Sequence, residues 1–482
     1  MGKAIVTALP RALAASCLAA IAACSFVPPL ERPAAPVAAG WPQGPTPAAG
    51  RDVASLPWRQ FFADPRLQAL VETALGNNRD LRIAVARVEE ARALHGIVRA
   101  DRLPTINAAA TGVAVRTPAD LSATGAESTA RRYDVSFAVT SFELDFWGRV
   151  ASLDGAALAA YLATDEARES FRLTLIADVA NAYFLLQEME ERIALSRAAV
   201  ESRKENLGLV SRRRDAGLAN DLDYLSALGA YEAARADAAS LERSRAAAAN
   251  ALTLLVGATP ANLPPRRRLT ERDVVPDLAA SVPSEALLNR PDVRAAEHRL
   301  VAANANIGAA RAAFLPRIGI SLAAGTASRS VSGLFDAGSG AWSFAPSLVM
   351  PLFDAGRNQS SLELAGARKV IAVADYERTI QQAFREVADL LSARDALAEQ
   401  IRAQEAAERA QNQRLRIAEA RYGAGVSNYI EVLDAQRDSY IVSQLTVQAR
   451  RVQLATAALL YKALGGGQEP SPPSLGPPAG PP

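Results

Sequence analysis

Apolar residues along this chain recur at two different spacings. From "ADPRLQALVETAL" the pattern is helical, with Asp64 placed as N-cap and Pro65 at the first helical position. This helix is expected to run toward "VRADRLP", where Pro104 stops it. Two strand-like runs follow, 104–117 and 131–146, joined by a polar loop rich in Gly, Ser and Thr. In the second run Tyr133, Val135, Phe137 and Val139 alternate with Asp134, Ser136, Ala138 and Thr140, which is strand period. After Ser141 the apolar phase moves to Phe142, Leu144 and Phe146, so a bulge or bend is expected near Thr140–Ser141. From Gly148 to about Arg214 there is no Pro, and Ala, Leu, Arg and Glu dominate. That stretch reads as one helix or two stacked ones, on the order of 100 Å long. Another helix follows a turn at Gly217 and ends near Gly257.

The plan then repeats. A helix over 290–316 ends at Pro316, "PRIGISLAAGTASRS" and "AWSFAPSLVMPLF" read as strands, and Pro-free helices span Gly356 to Tyr422 and about Asn428 to Leu464. At an offset of 208, residues 148–257 align with 356–465 without a gap. Gly148-Arg149 falls on Gly356-Arg357, Ala216-Gly217 on Ala424-Gly425, Asn220 on Asn428 and Gly257 on Gly465. Upstream the offset is 212, with Asp80 on Asp292 and Leu103-Pro104 on Leu315-Pro316. Coincident punctuation at both ends marks an internal duplication.

Composition narrows the function classes. The 482 residues carry a formal charge of only +2, so nucleic acid is not an expected partner. Two His and two Cys leave no material for a His/Cys metal site or a Cys/His nucleophile. His95 and His298 are single helix histidines without a second ligand nearby in sequence. No Ser/His/Asp array, phosphate loop or catalytic carboxylate pair stands out, and no enzyme is expected. No metal and no cofactor are expected apart from a covalent lipid. Residues 1–23 have a basic start and a short apolar run ending in small residues, the pattern of a secretory signal. The ending "IAAC" resembles a bacterial lipobox, which implies lipidation of Cys24. Residues 24–57 are Pro- and Ala-rich and read as an extended tether; 466–482 read as a structureless tail.

No apolar run reaches 18 residues, so the chain can enter a bilayer only through its strands. Four strands leave two open edges, and each unpaired backbone group costs several kcal/mol in hydrocarbon. Known single-chain barrels need about eight strands or more. The edges must therefore pair with copies of the chain: two copies give eight strands, three give twelve. Long amphipathic helices have the same need for cover.

"DPRLQALVETALGNNRDLRIA", "FELDFWGR", "RPDVRAAEHRL", "FLPRI", "PLFDAGR" and the Gly turn before "NYIEVLDAQ", together with the lipobox, resemble the TolC-like outer-membrane factors. The likeness is to the lipoprotein branch serving resistance-nodulation-division efflux pumps, and it spans nearly all of 55–465. It implies an α+β, mostly α fold: a long-helix α-barrel plus a β-barrel formed only in a homotrimer. Each chain would give four strands and two duplicated helical hairpin units. Repeats 58–257 and 284–465 would flank an equatorial linker, 258–283. The implied location is the outer membrane of a Gram-negative bacterium, lipid-anchored and reaching into the periplasm, with a periplasmic adaptor and an inner-membrane pump as partners. Trp147 and Trp342 flank strands, where an aromatic girdle or barrel-end packing would place them.

The resemblance also assigns the hairpin tips. Arg213, Gly217 and Leu218, with Arg421, Gly425 and Val426, match the surface docked by the adaptor. Gly217, Gly423 and Gly425 supply residues tolerant of positive φ, and plain C-capping is an alternative that can coexist with docking. Glu431 and Asp434, three residues apart on one helix face, fall on the family's aperture acids, with Ile430 at an apolar constriction. Threefold symmetry would turn them into rings of carboxylates. Tyr422 and Asp223 match positions whose contacts hold the tips shut, while Ser427 stands where some members carry a basic latch. The plainer reading of the two acids is stabilisation of a helix N-terminus. Three functions remain open: an exit duct for small-molecule efflux, the exit duct of a type I protein-secretion system, and a structural envelope lipoprotein without a pore.

Overall fold

The computed structural model describes residues 26–38, 40–42, 51–52, 56–259, 263–265, 268–269, 274, 278–279 and 284–467. The expected signal segment 1–23, Cys24 and the tail from 468 lie outside them. The fold is α+β and mostly helical. The first repeat runs β1 (Arg51–Asp52), α1 (Trp58–Phe61), α2 (Pro65–Asn77), α3 (Arg79–Ala100), β2 (Asn107–Thr117), β3 (Ser128–Leu144), α4 (Arg149–Asp215) and α5 (Asp221–Val256). After β4 (Leu278–Ala279), which pairs in parallel with β1, come α6 (Pro291–Ala312), β5 (Arg317–Ser328), β6 (Gly340–Val349), α7 (Arg357–Gly423) and α8 (Tyr429–Ala463).

The duplication persists in element lengths: α4 and α7 each have 67 residues, and α3 and α6 each have 22. It also persists in hydrogen bonds. The Asn78 amide nitrogen donates to the Leu255 carbonyl at 2.8 Å, and Arg290 donates to the Ala463 carbonyl. These pairs are equivalent under the two offsets. In both repeats the residue heading the first long helix claims an orphan carbonyl at the C-terminus of the last.

Two compact units result, one from residues before Ala35, Arg87–Asp165 and Ala295–Glu377, the other from Ala35–Ala86, Glu166–Arg294 and Arg378 onward. Each draws on both repeats. Strands of both repeats join in one antiparallel sheet, of order β2-β3-β5-β6, in the first unit.

The helix starting at Pro65 is not continuous to Pro104. Asp64 caps it as expected, its carboxylate accepting the Arg66 amide at 2.8 Å and the Tyr183 hydroxyl at 2.6 Å. The helix breaks at Asn78, which turns extended and caps α3 by accepting the Leu81 amide at 2.8 Å. The stretch from Arg149 is a single helix, not two. Along α5, Ala227, Ala234, Leu241 and Ala248 are buried at intervals of seven, a coiled-coil seam of mostly small residues. Residues 26–32 are extended but not detached. They follow α6 antiparallel, with Arg311 donating to the Phe26 carbonyl, Asn304 to the Pro28 carbonyl at 2.8 Å, and Arg32 pairing with Glu297 at 2.7 Å. The helix partners recur every seven residues, two turns, and over the whole stretch extended chain and helix advance by the same distance, about 20 Å.

Strands β3, β5 and β6 carry their large apolar residues on one face apart from Val349, while Val113 and Val115 of β2 fall on the other. Directly paired residues share a face, so Phe137, Ala108, Ala324 and Trp342 form one row; Val139, Leu322 and Phe344 form the next. The following rows are Phe142, Ile320 and Pro346, then Leu144, Ile318 and Leu348. The register shifts between Val139 and Phe142, where Thr140 and Ser141 face Ser321 alone. This bulge, expected from the change of phase, keeps Phe142 and Leu144 on the face of Phe137 and Val139. The Ser321 hydroxyl fastens it, donating to the Thr140 carbonyl at 2.6 Å. Asn107, Thr111, Asp134, Ser136, Glu143, Ser321 and Ser347 occupy the other face.

The outer edges of β2 and β6 have no strand beside them among the described residues. The Ala327 amide of β5 donates to the carbonyl of Ser339, just before β6, at 2.8 Å, which fixes the alternation of the β5–β6 ladder. Ile320–Pro346 is then a non-hydrogen-bonded pair, and the Pro346 nitrogen points away from β5. Deleting Thr140 together with Ser141 should move Phe142 and Leu144 to the polar face and cut the yield of folded, detergent-extracted protein about tenfold, because a one-residue slip inverts every side chain. Ser141→Ala should leave the yield at wild type; equal yields for deletion and substitution would refute the two-faced register.

Candidate functional site

The candidate site lies in the second unit, where α4 turns into α5 and α7 into α8. The two turns share one construction. The Leu218 amide donates to the Arg213 carbonyl at 2.7 Å and the Gly217 amide to the Arg214 carbonyl at 2.8 Å. In the second hairpin Val426 donates to Arg421 and Gly425 to Tyr422, both at 3.0 Å. These are paired Schellman motifs, with Gly217 at φ 73° and Gly425 at φ 75°, where a Cβ would be strained. Gly423, expected to share this role, is instead the last residue of α7. After each turn an asparagine restarts the helix: Asn220 accepts the Asp223 amide at 2.8 Å and Asn428 accepts the Glu431 amide at 3.1 Å.

A small core ties the hairpins together. Val210, Ala227, Ala418, Tyr429, Val432 and Ala435 are buried in it, with Tyr224, Tyr422 and Leu433 packed around them. The Arg213 guanidinium lies 4.8 Å from the centre of the Tyr422 ring, and Arg214 lies 4.1 Å from that of Tyr224. The Tyr422 and Tyr429 rings are 5.4 Å apart. Burial pushes the Tyr429 phenol up to about 12, with Tyr422 and Asp223 adding to the shift and Arg203 opposing it.

The expected residues therefore separate into two groups. Arg213 and Tyr422 hold the hairpins to each other, and Asp223 acts on Tyr429 through its charge. Leu218 and Val426 point outward, 76% and 70% exposed. A Schellman turn commonly packs its residue after the glycine against the preceding helix. Here the packing positions are Arg213 and Arg421, and the two apolar side chains stay free for another surface. Ile430, 53% exposed, faces away from buried Tyr429. Glu431 sits 3.8 Å from Arg421, and Asp434 pairs with Arg437 at 3.1 Å. Arg437 was not expected at the site; its position three residues after Asp434 was the available signal. Arg437 also meets Asp438 at 3.1 Å, and Asp438 is held by Arg414 at 2.8 Å. The Ser427 hydroxyl is buried, not presented as a latch. No group of three metal-ligating side chains occurs among the described residues, and no described helix is long and apolar enough to cross a membrane.

The sequence pattern described as outer membrane efflux protein matches residues 70–258 and again 282–466, once on each repeat. The chain belongs to the outer membrane efflux protein family. Among relatives of this family, outer membrane protein OprJ of Pseudomonas aeruginosa is 46% identical over 448 residues, covering 93% of this chain and 94% of its own. The toluene efflux pump outer membrane protein TtgF of Pseudomonas putida is 44% identical, with 93% and 95% covered. Among solved structures, a membrane protein from Pseudomonas aeruginosa aligns with a TM-score of 0.86 at 45% identity, covering 92% of this chain and 98% of that one. The open state of the MtrE outer membrane channel of Neisseria gonorrhoeae aligns with a TM-score of 0.83 at 39% identity, again over 92% and 98%. The fold is thus that of the TolC-like outer-membrane efflux channels.

In this efflux-family tip the buried phenol carries a pH dependence. The folded state favours neutral Tyr429, so its contribution to stability is complete below pH 10 and lost as pH rises through about 12. Ultraviolet difference titration of the intact protein should show an ionisation near 12 that Tyr429→Phe removes. Ionisation at the ordinary value would mean that the tip core is open.

Proposed function

We propose that this chain is one third of an outer-membrane exit duct that passively conducts small molecules delivered by an inner-membrane pump through a periplasmic adaptor. The observation that carries the reading is the two-faced sheet with two open edges. From Tyr133 to Leu144 its apolar face runs about 34 Å along the strand, or about 26 Å in height at a barrel tilt near 40°, which matches the lipid-facing band of membrane barrels. Three such sheets joined edge to edge close a twelve-stranded barrel with apolar residues outside and polar residues lining the lumen. A homotrimer satisfies the backbone groups that one chain leaves open. Efflux rather than protein secretion is favoured by relatives named for efflux pumps, TtgF among them.

The remaining assignments follow from this reading. Leu218 and Val426, with Arg421, Gly217 and Gly425 shaping their turns and Arg213 bracing the first hairpin from behind, form the adaptor-docking tips. Ile430, Glu431 and Asp434 converge around the threefold axis as the periplasmic aperture, and Tyr422 and Asp223 belong to the contacts that keep it closed. Arg437 partly neutralises the Asp434 ring. Cys24 carries the lipid that fixes the chain to the outer membrane, two residues before the segment that follows α6. The duct performs no chemistry of its own; energy and cargo selection belong to the pump.

Planar-bilayer recording of the purified oligomer tests the duct. Asp434→Ala should enlarge single-channel conductance and weaken cation preference, whereas Arg437→Ala should strengthen it. An unchanged current in both variants would remove these residues from the aperture, and absence of any conductance would remove the duct itself. Mass spectrometry of the mature protein should find acyl chains on Cys24 and none in Cys24→Ala. An unmodified thiol in the wild-type protein would sink the anchor.

A further inference from the structure

Charged residues of the sheet follow the two-faced pattern with two exceptions. Arg132, Asp134, Glu143 and Arg317 fall on the polar face. Arg116 and Arg131 fall on the apolar face, in phase with Tyr133 and Val135, at the end of the sheet carrying the connecting loops. Tyr133 closes the apolar band there, and Arg131 lies one pleat further, about 5 Å higher at the tilt of a membrane barrel. A lipid-facing guanidinium is costly at the midplane of a bilayer and tolerated at headgroup level.

The two arginines have different surroundings. Arg116 is matched by Glu127 at 2.6 Å. Arg131 instead lines an open cleft of about 570 Å³ with Arg329, Ser128, Thr129 and Ala130. Two arginines, a serine and a threonine border it and no acidic residue does; Ser128–Arg131 are consecutive on β3, so the cleft follows the edge of β3 that β5 leaves uncovered beyond Ser328 and opens to both faces of the sheet. That donor set suits a phosphate, which guanidinium groups bind in forked, charge-assisted pairs. The nearby acids are otherwise placed: Glu127 on Arg116 and Asp134 on Arg132. β3 and β5 are the inner strands of the four, so a single protomer builds the cleft.

We propose that this cleft binds the phosphate of a phosphorylated glycolipid in the outer leaflet of the outer membrane. The proposal rests on the exit-duct reading, which places the loop end of the strands at the cell surface. Free inorganic phosphate shares the headgroup chemistry; the apolar face beginning at Tyr133 and Val135 favours a ligand that also carries acyl chains.

The test uses the full-length oligomer in phosphatidylethanolamine nanodiscs, with native mass spectrometry reading retention of bis-phosphorylated lipid A against its dephosphorylated form. The wild type should retain the phosphorylated form at least about tenfold better, and Arg131→Ala with Arg329→Ala should abolish the difference. Arg116→Ala, whose partner is Glu127, should keep it, and the double Arg→Lys variant should keep part of it. Equal retention of the two lipids by the wild type, or displacement by millimolar inorganic phosphate, would overturn the glycolipid assignment. Single-channel conductance of the same samples separates the two readings. A conducting oligomer without phosphate preference defeats this proposal alone, while loss of conductance in the wild type defeats the duct and the proposal together.

Discussion

Backbone hydrogen bonding at the rim of the sheet governs the rest of this molecule. β2 and β6 each turn a row of amides and carbonyls outward, and inside hydrocarbon no water is available to satisfy them. A longer sheet within the chain would have solved the problem locally, but each repeat supplies only two strands. Closure is thereby made a property of the assembly. The long helices share the constraint: Leu364, Val370 and Ile371 of α7 and Ile83, Leu94 and Ile97 of α3 are exposed on a single chain. Apolar surface of that kind is covered at interfaces between subunits.

The duplication accounts for the economy of the fold and for its asymmetry. The same caps, turns and carbonyl ties recur in both halves, so one set of local rules builds two hairpins. Function enters where the copies differ. Asn428 and Asn220 cap equivalent helices, yet the two matching positions after them hold Glu431 and Asp434 in one repeat and Asp223 and Ser226, a single acid, in the other. Arg213 reaches across to Tyr422, so one repeat braces the other. In the proposed homotrimer, identical hairpins would offer six equal tips; unequal ones would let one set line the opening while the other supports it.

Local signals were legible in the sequence because their causes are local. The Asp64-Pro65 start, the helix start near Asn428 and the glycine at the end of α5 could all be read from a few residues. The bulge at Thr140–Ser141 was legible because a change of alternation has only one remedy if a face is to stay apolar. What stayed hidden depends on distant partners. The break at Asn78 lies inside a helical pattern and is supported by Leu255, remote in sequence. Which of Gly423 and Gly425 takes positive φ is decided by the hydrogen bonds of the Schellman turn, not by glycine content. The course of residues 26–32 along α6 has no periodicity of its own, because its spacing belongs to the helix it follows.

Pro346 gives the open rim a further property. Its nitrogen faces outward and bears no hydrogen, so any strand laid against β6 meets a gap midway along the ladder. In the proposed homotrimer, a sister protomer held also by helix packing would tolerate one missing rung. A stray extended segment, relying on the ladder alone, does not. One imino acid thus discourages fibrillar strand addition on an edge that a single chain leaves open.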